Sequence, residues 1–269
     1  MKISIVTISF NQARFLEQTI LSVAAQQDVS VEYIVVDPGS TDGSRDIIGR
    51  HRDKLAAVIF EKDRGPADGL NRGFAAATGD VFGFLNSDDY LLPRSLAKVQ
   101  RHFQSHPHID VVSGHGLIVD VSGKVLRRNY SDRFSARMQA LGAASLAQQS
   151  TFFHAPAFRA VGGFNAENGV AWDGELFFRM HRSGARFGLI DDFLSAWRIH
   201  EAGITGSARL DEKLIEYRNR MFREAFGRNP RVLDSWVSGA ARLIKHARNL
   251  RGVRERLLHG PIYGRARQV

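Results

Sequence analysis

The sequence predicts an α/β protein with a mostly parallel sheet, helices on both faces of it, and a helical C-terminal extension. Two observations lead to this fold class. In the first 107 residues, short apolar runs alternate with segments whose apolar residues recur at helical spacing, as expected for strands and helices around a parallel sheet. After residue 209 only helical spacing is found. The 269 residues can form one domain with an appendage or two small domains.

Each element of the first 107 residues has a local signal. The first strand barely alternates between apolar and polar residues, so we expect it to be buried on both faces. Asn11 is expected to cap the first helix, and Pro66 to occupy the first position of the third. A second helix is expected over Asp42–Arg50, and Pro93 is expected to open a fourth. The predicted strands are Lys2–Ile8, Glu32–Val36, Ala57–Glu61 and Val81–Leu85.

The middle of the chain has a different pattern. Ile109–Val119 and Val125–Arg128 are predicted to pair as a hairpin that turns at Ser122 and Gly123, and Phe187–His200 is predicted as a further strand. From about Leu210 onward the pattern is helical. We therefore divide the chain into three predicted segments, residues 1–107, 108–206 and 207–269.

The positive charge of the chain is confined to its last quarter. The formal net charge is +9, and the pI is about 10.2. Residues 209–269 contain fifteen Lys or Arg and six Asp or Glu, whereas the first 208 residues contain twenty-two of each kind. The protein is therefore predicted to have a neutral body and a basic attachment.

Composition excludes several classes of site. The chain has no cysteine, which excludes disulfides, thiolate zinc sites and cysteine catalysis. Its N-terminal apolar run is too short for a signal peptide, and no later run approaches the roughly 20 residues of a membrane span. We expect a cytoplasmic protein, with peripheral attachment to the inner face of the plasma membrane as an alternative.

Polar residues follow each of the first four predicted strands. Phe10-Asn11, Asp37, Asp63 and Asp88-Asp89 come directly after strands one to four. In an open parallel sheet, ligands bind outside the carboxyl ends of the strands. Each residue alone is also explained as a helix cap or a turn, but the set predicts a ligand-binding edge.

The adjacent carboxylates Asp88 and Asp89 point to a cation. Oxygen ligands suit Mg²⁺ or Mn²⁺, which often bridge protein carboxylates and substrate phosphates. The sequence contains neither GxxxxGK[ST] nor a GxGxxG after the first strand. A bound nucleotide would therefore be neutralised by a metal rather than by a loop of backbone amides.

Several segments together resemble a known family. VTISFNQARFLEQTILSVAAQ, VVDPGSTDGS, DRGPADGLNRGFAAATGD and FLNSDDYLLP resemble, in this order, the nucleotide-sugar half of bacterial-type family 2 glycosyltransferases. GGFN, WDGELFFR and WRIH resemble the acceptor half. The resemblance implies the Rossmann-like GT-A fold, in which residues 1–107 bind the nucleotide sugar and residues 108–206 bind the acceptor. It also implies inverting, metal-dependent transfer from a nucleoside diphosphate sugar, with UDP as the first candidate nucleotide.

The resemblance assigns residues to the donor nucleotide. Ile8, through its backbone, and Phe10 would line the base pocket beside Asn11, with Phe10 stacking on the ring. Asp37 would accept a hydrogen bond from the base or the ribose. The remaining nucleotide contacts implied on the base side are Asp63 and Arg64.

The resemblance also assigns a metal and diphosphate site. Asn86-Ser87-Asp88 occupies the place of the family's Asp-x-Asp motif, with Asp88 as the leading metal ligand and Asp89 beside it. His200 would be a third ligand, and Arg198 would pair with a phosphate. Two departures, Asn86 for the usual first Asp and Pro38 for a frequent second Asp after strand two, remove negative charge near the nucleotide.

The acceptor side supplies the catalytic base by resemblance. Asp173 matches the position of the residue that takes the proton of the acceptor hydroxyl, although Trp172 stands where the family usually has Glu. Glu175 would orient the acceptor or share this role. Gln149, in AQQSTFF, is a further candidate contact with donor or acceptor. The expected acceptor is a saccharide or a lipid-linked molecule, in polysaccharide or glycolipid synthesis.

The basic extension leaves two interpretations open. Arginines and lysines between 242 and 256 are interleaved with leucines and other apolar residues, which predicts either an amphipathic helix on an anionic membrane or a solvated helix packed on the body. Nucleic acid is not expected as a partner, because the extension has no aromatic stacking platform.

Two other functions compete with glycosyl transfer. Asn86 and Trp172 depart from the family motifs, so a non-catalytic nucleotide-sugar-binding protein is one alternative. A metal-dependent nucleotidyltransferase is the other, although its phosphate-cradling loop is absent from the sequence.

Overall fold

The computed structural model describes residues 1–200 and 211–260, with the backbone alone for residues 211 and 212. The predicted boundary between residues 206 and 207, and the part of the extension after 260, lie outside the described residues. The strands are β1 Lys2–Ile8, β2 Ser30–Val36, β3 Ala57–Ile59, β4 Val81–Asn86, β5 Tyr90–Leu91, β6 Val111–Val119, β7 Val125–Asn129, β8 Thr151–His154 and β9 Phe187–Arg198. The helices are α1 Ala13–Ala24, α2 Ser44–Arg50, α3 Pro66–Ala76, α4 Ser95–Ser105, α5 Ala136–Ala140, α6 Ala155–Ala160, α7 Trp172–Arg182, α8 Asp211–Phe226, α9 Asp234–Arg248 and α10 Leu250–His259.

These nine strands form one sheet in the order β3-β2-β1-β4-β8-β6-β9-β5, with β7 paired to β6. The four strands predicted in the first half are parallel to each other. Beyond them, β8 pairs antiparallel with both β4 and β6, and β9 pairs parallel with β6. The sheet is therefore parallel from β3 to β4 and mixed beyond β4.

Helices cover both faces of the sheet, as predicted. On one face, Leu16 of α1, Ile48 of α2 and Leu96 of α4 pack in one apolar cluster with strand residues. On the other face, α3, α6 and α7 contribute to a second cluster, which includes Leu70 and Phe177. Because side chains alternate along a strand, neighbouring residues of β1 supply opposite clusters.

Most of the features predicted from local sequence signals are confirmed. Pro66 is the first residue of α3, and β6 and β7 form the predicted hairpin with Gly123 at a φ of 87°. The predicted cap of α1 is wrong: the backbone N–H of Ala13 donates to Asp42 Oδ2 over 2.8 Å, so a carboxylate from a different loop replaces Asn11. Strands β5 and β8 were not predicted.

The C-terminal extension packs on the body. Tyr217 and Met221 of α8 are buried against Phe178 of α7. Further along, Glu255 of α10 accepts a hydrogen bond of 3.0 Å from the backbone N–H of Arg128 in β7. Of the two interpretations of the extension, packing on the body is thus observed, and membrane binding stays a prediction.

Close packing around β4 gives a first prediction. A Cβ added to Gly83 would lie 2.5 Å from Cδ1 of the buried Phe152 and 3.0 Å from Cδ1 of Ile5. Overpacking of a core in this way costs about 1–3 kcal/mol, so Gly83→Ala is expected to lower the free energy of unfolding, measured by urea titration, by that amount. Gly49→Ala is the control, since apart from its two chain neighbours and the backbone of its own helix no described atom would lie within 4 Å of the added Cβ. Equal effects of both substitutions would contradict the packing.

Candidate functional site

The carboxyl ends of the parallel strands meet at one edge of the sheet. The register aligns Ile8 with Val36 and with Asn86, and Val36 with Ile59. The polar residues that follow β1, β2, β3 and β4 are therefore brought to the same edge. This convergence was predicted from the alternation of strands and helices.

Asp37 follows β2 and has one unsatisfied oxygen. Its Oδ1 accepts hydrogen bonds from the backbone N–H groups of Gly39 and Ser40, at 3.1 and 2.8 Å, and from Nε of Arg45 at 3.2 Å. Its Oδ2 is buried and has no partner among the described residues. Buried acceptors are rarely left unpaired, so this oxygen is a candidate contact for a ligand.

The loop after β1 presents an exposed aromatic ring. Phe10 is 61% exposed, and Ile8 is half-buried at the end of the strand. Asn11 has a φ of 53°; its backbone N–H donates to Ser40 Oγ and its Oδ1 accepts from Thr41 N. These two bonds join the loop after β1 to the loop after β2, so Asn11 shapes the edge near Asp37.

Asp63 lies between the end of β3 and the start of α3. Its Oδ1 accepts from the backbone N–H of Gly65 at 2.9 Å, and burial raises the pKa of its carboxyl group. A Cβ at Gly69 would lie 2.6 Å from Asp63 Oδ2, so glycine makes room for this carboxylate. Arg64 is exposed and lies near Asp68 and Glu167, with closest N–O distances of 3.6 and 3.7 Å.

The two adjacent carboxylates after β4 diverge. Asp88 is half-buried, and its Oδ2 lies 2.8 Å from Nε2 of His200. The imidazole ring of His200 also packs against Phe15, with 5.0 Å between ring centroids. Asp89 is fully buried. The resemblance made Asp88 the leading metal ligand, with Asp89 beside it, and the structure places Asp88 next to His200.

The carboxylate of Asp89 is held by three donors. Its Oδ2 accepts from Nε2 of Gln149 at 2.7 Å and from Nδ2 of Asn86 at 3.3 Å, and its Oδ1 accepts from the backbone N–H of Arg198 at 3.1 Å. Burial, and then the neighbouring charge of Asp88, raise the pKa of Asp89 well above its usual range. These contacts favour a role in holding the site over the metal ligation predicted for Asp89.

Arg198 is occupied by protein acceptors. Its Nε donates to the backbone carbonyl of Asp88 at 3.0 Å, its Nη1 to those of Asp120 and Val121, and its Nη2 to Oε1 of Gln18. The guanidinium also lies 4.6 Å from the ring centroid of Phe15. The phosphate contact of Arg198 stays a prediction, and this bonding favours a role in positioning Asp88.

Thr19 was missed by sequence reasoning. Its Oγ1 lies within hydrogen-bond distance of the backbone carbonyls of Ser87 and Asp89, at 2.9 and 2.6 Å. Ser87 itself is buried. Thr19 therefore fixes the Asp88 segment from α1, and no sequence signal distinguishes it from other helical threonines.

Asp173 is the second residue of α7, whose start lies beside the end of β4. Trp172 is buried with its ring 5.5 Å from that of Phe84, two residues before Asn86. This packing explains an apolar residue at 172 and anchors the start of α7 to β4. Burial raises the pKa of Asp173, and no described side chain forms a hydrogen bond with its carboxylate. The backbone N–H of Gly174 donates to this carboxylate and partly offsets the effect of burial on its pKa. A carboxylate with a raised pKa and no bond from a described side chain suits a general base.

Glu175, unlike Asp173, is bonded by several described side chains. Its carboxylate accepts from Nδ2 of Asn165 at 3.0 Å and from Nδ2 of Asn168, and it lies 2.6 Å from Nη2 of Arg220 in α8. These bonds join α7 to the preceding loop and to the extension. They favour a structural role for Glu175 over the predicted contact with the acceptor.

Asp88 and His200 are the residues best placed to hold a metal. A carboxylate oxygen and an imidazole nitrogen are both ligands of Mn²⁺-type cations, and two protein ligands leave positions for phosphate and water. No cluster of three or more His, Cys, Asp or Glu suited to a metal occurs in the described parts of the chain. The donor set thus fits a cation that is completed by its substrate.

A sequence model of a protein family identifies the family of the chain. The model described as glycosyl transferase family 2 matches residues 4–160, which is more than half of the sequence. The chain belongs to this family. The glycosyltransferase-2 match includes the predicted residues from Ile8 to Asp89 and ends before Asp173 and His200.

Curated relatives of this glycosyltransferase agree. An uncharacterized glycosyltransferase of Nostoc sp. is 38% identical over 129 residues, 45% of this chain and 40% of that protein. One of Mycobacterium tuberculosis is 31% identical over 186 residues, covering 66% of this chain and 68% of that one. A putative teichuronic acid biosynthesis glycosyltransferase of Bacillus subtilis is 36% identical over 90 residues, covering 32% and 36%. The chain thus spans less than half of the length of the Nostoc relative.

Solved structures share the fold. S. aureus TarS 1–349 in complex with UDP-GlcNAc aligns with a TM-score of 0.65 at 18% identity, covering 93% of this chain and 73% of that one. Mannosyltransferase PcManGT from Pyrobaculum calidifontis, in complex with GDP-Man and Mn²⁺, aligns with a TM-score of 0.62 at 18% identity, covering 99% and 75%. The predicted GT-A fold is confirmed.

The bonding of Asp89 gives a second prediction. Gln149→Leu removes a donor from a buried carboxylate, so the free energy of unfolding is expected to fall by about 1–3 kcal/mol. Because Gln149 stabilises the ionised form, the loss should be greatest at high pH and shrink as pH falls through the raised pKa of Asp89.

Gln148→Leu is the matched control for this prediction. The Nε2 atom of Gln148 is buried without a partner among the described residues, so its removal is expected to leave stability equal or improved. Urea unfolding at several pH values measures both variants. A pH-independent loss in Gln149→Leu would contradict the assigned contact.

Proposed function

We propose that this chain transfers a sugar, with inversion, from a nucleoside diphosphate sugar to a hydroxyl of a saccharide or lipid-linked acceptor, with Mg²⁺ or Mn²⁺. The observation that carries this proposal is the arrangement of Asp88 and His200 at the edge that also presents Phe10 and the unpaired oxygen of Asp37. The bound UDP-GlcNAc of TarS and the GDP-Man and Mn²⁺ of PcManGT support this class of donor. We take UDP as the nucleotide on the resemblance.

Different residues of the edge contact different parts of the donor. The ring of Phe10 stacks on the base, and the unpaired Oδ2 of Asp37 accepts a hydrogen bond from the base or the ribose. Asp88 and His200 hold the cation. When bound, that cation supplies Lewis-acid stabilisation of the charge on the leaving diphosphate.

Asp173 acts as the general base. The acceptor hydroxyl loses its proton to this carboxylate as its oxygen attacks the anomeric carbon from the side opposite the diphosphate. The bond between the anomeric carbon and the diphosphate oxygen breaks, which inverts the configuration. Glu175 and Trp172 keep the start of α7 in place.

The cellular setting is a proposal as well. The names of the relatives include teichuronic acid and succinoglycan biosynthesis, which supports a role in polysaccharide synthesis. No helix among the described residues is long and apolar enough to cross a membrane. We propose a cytoplasmic enzyme that attaches peripherally to the inner face of the plasma membrane.

Release of nucleoside diphosphate tests the metal site. The chain is expected to release it slowly from UDP-sugars with Mn²⁺, and Asp88→Ala should abolish this release because a carboxylate ligand is lost. The control is Asp53→Ala, an exposed carboxylate paired only with Lys54. Unchanged release in Asp88→Ala would contradict the site. Donor binding without release or transfer would indicate a binding protein, and pyrophosphate release a nucleotidyltransferase.

The pH dependence tests the base. Asp173→Asn is expected to lower kcat by about 10²- to 10⁴-fold, with donor binding by calorimetry unchanged. In the unmodified enzyme only ionised Asp173 takes the proton. Activity should therefore fall with decreasing pH through a pKa above the ordinary value of about 3.9. If the residual activity of Asp173→Asn falls with decreasing pH in the same way, this pH dependence belongs to another group.

A further inference from the structure

The last two helices carry an exposed apolar surface. We call it the outer ridge and define it as Trp236, Leu243, Ile244, Leu250, Leu257 and Leu258. Trp236 is 78% exposed, Leu243 70% and Leu257 82%. Six large and exposed apolar side chains on two consecutive helices indicate an interaction site.

The outer ridge faces away from the body. In α9, Trp236, Leu243 and Ala247 recur at i, i+7 and i+11, which places them on one side of the helix. The opposite side carries the buried Ala241 and Lys245, whose Nζ lies 3.1 Å from Asp132. The α9 part of the ridge therefore lies on the side of the helix that packing on the body leaves uncovered.

The charges around the outer ridge have one sign. Residues 231–260 contain two acidic residues, and both are buried and bonded inward: Asp234 with Arg228 at 2.7 Å, and Glu255 with the backbone of Arg128. Among the basic residues of 231–260, Lys245 and Arg251 form ion pairs with Asp132 and Asp191. Arg231, Arg242, Arg248, Arg254 and Arg256 are exposed and form no ion pair within the described residues. Both acidic side chains are thus buried and bonded within the protein, and arginines flank the exposed apolar side chains.

We propose that the outer ridge docks on an anionic lipid surface. Leucines and a tryptophan flanked by arginines fit the boundary between acyl chains and negatively charged headgroups, where apolar burial and charge attraction act together. A nucleic acid would leave the aliphatic side chains uncovered. A second copy of this chain on a twofold axis would bring the arginines of both copies together.

Docking through the outer ridge has a consequence for the acceptor. In the same extension, Arg220 of α8 contacts Glu175, two residues after Asp173. The lipid-facing surface is therefore joined through α8 to the helix that carries the proposed base. This favours an acceptor presented at the membrane, and that step rests on the proposed transfer. The docking itself deepens the proposed peripheral attachment and does not depend on the transfer chemistry.

Vesicle sedimentation tests the docking. The full chain is expected to pellet with vesicles of phosphatidylglycerol and phosphatidylcholine, less at high salt, and weakly with phosphatidylcholine alone. Leu243→Ser/Leu257→Ser should weaken binding by about tenfold or more, since two apolar anchors are lost. Leu21→Ser/Ile215→Ser, two exposed apolar residues outside the ridge, should bind like the unmodified chain. Equal binding by both double variants would overturn the proposal.

Two further measurements separate the alternatives. Arg248→Gln/Arg254→Gln should weaken binding to anionic vesicles more than the control Arg218→Gln/Arg223→Gln in α8. Vesicles should shift the tryptophan emission to the blue. Trp236→Phe should remove most of that shift, because Trp172 is already buried and Trp197 is half-buried in β9, outside the ridge. No vesicle binding overturns the proposal, as does a dimer that the ridge variants dissolve. Nucleoside diphosphate release without vesicles should persist in the ridge variants, which distinguishes failed docking from failed chemistry.

Discussion

The buried carboxylate of Asp89 joins three separate parts of the chain at the candidate site. It accepts hydrogen bonds from Gln149 before β8, from Asn86 at the end of β4, and from the backbone of Arg198 at the end of β9. A carboxylate without water is strongly disfavoured unless such donors are present. Because Asp89 turns inward to meet them, Asp88 is left to face the edge beside His200.

The location of the site was predictable because it follows from chain pattern alone. Alternating strands and helices imply a parallel sheet, and the carboxyl ends of parallel strands meet at one edge. Asp37, Asp63 and Asp88 therefore had to lie near each other. Two other features likewise depend on residues that are neighbours in the sequence and were therefore predictable: the start of α3 at Pro66 and the hairpin of β6 and β7.

The orientation of individual side chains was not predictable, because their partners are distant in the sequence. Asp89 is paired with Gln149, 60 residues away, and Arg198 with Gln18 and Asp120. The cap of α1 comes from Asp42 instead of the adjacent Asn11. Strands β5 and β8 have two and four residues, too few to show a period.

The packing of α8 makes the first part of the basic extension an integral part of the folded body. Tyr217 and Met221 fill an apolar cluster with Phe178, and Arg220 neutralises Glu175 beside the start of α7. A chain shortened before α8 would expose that cluster to water, and the Glu175 carboxylate would lose its ion pair with the guanidinium of Arg220. Evolutionary gain or loss of this extension would therefore require compensating substitutions on α7, so the two segments are expected to change together among natural variants.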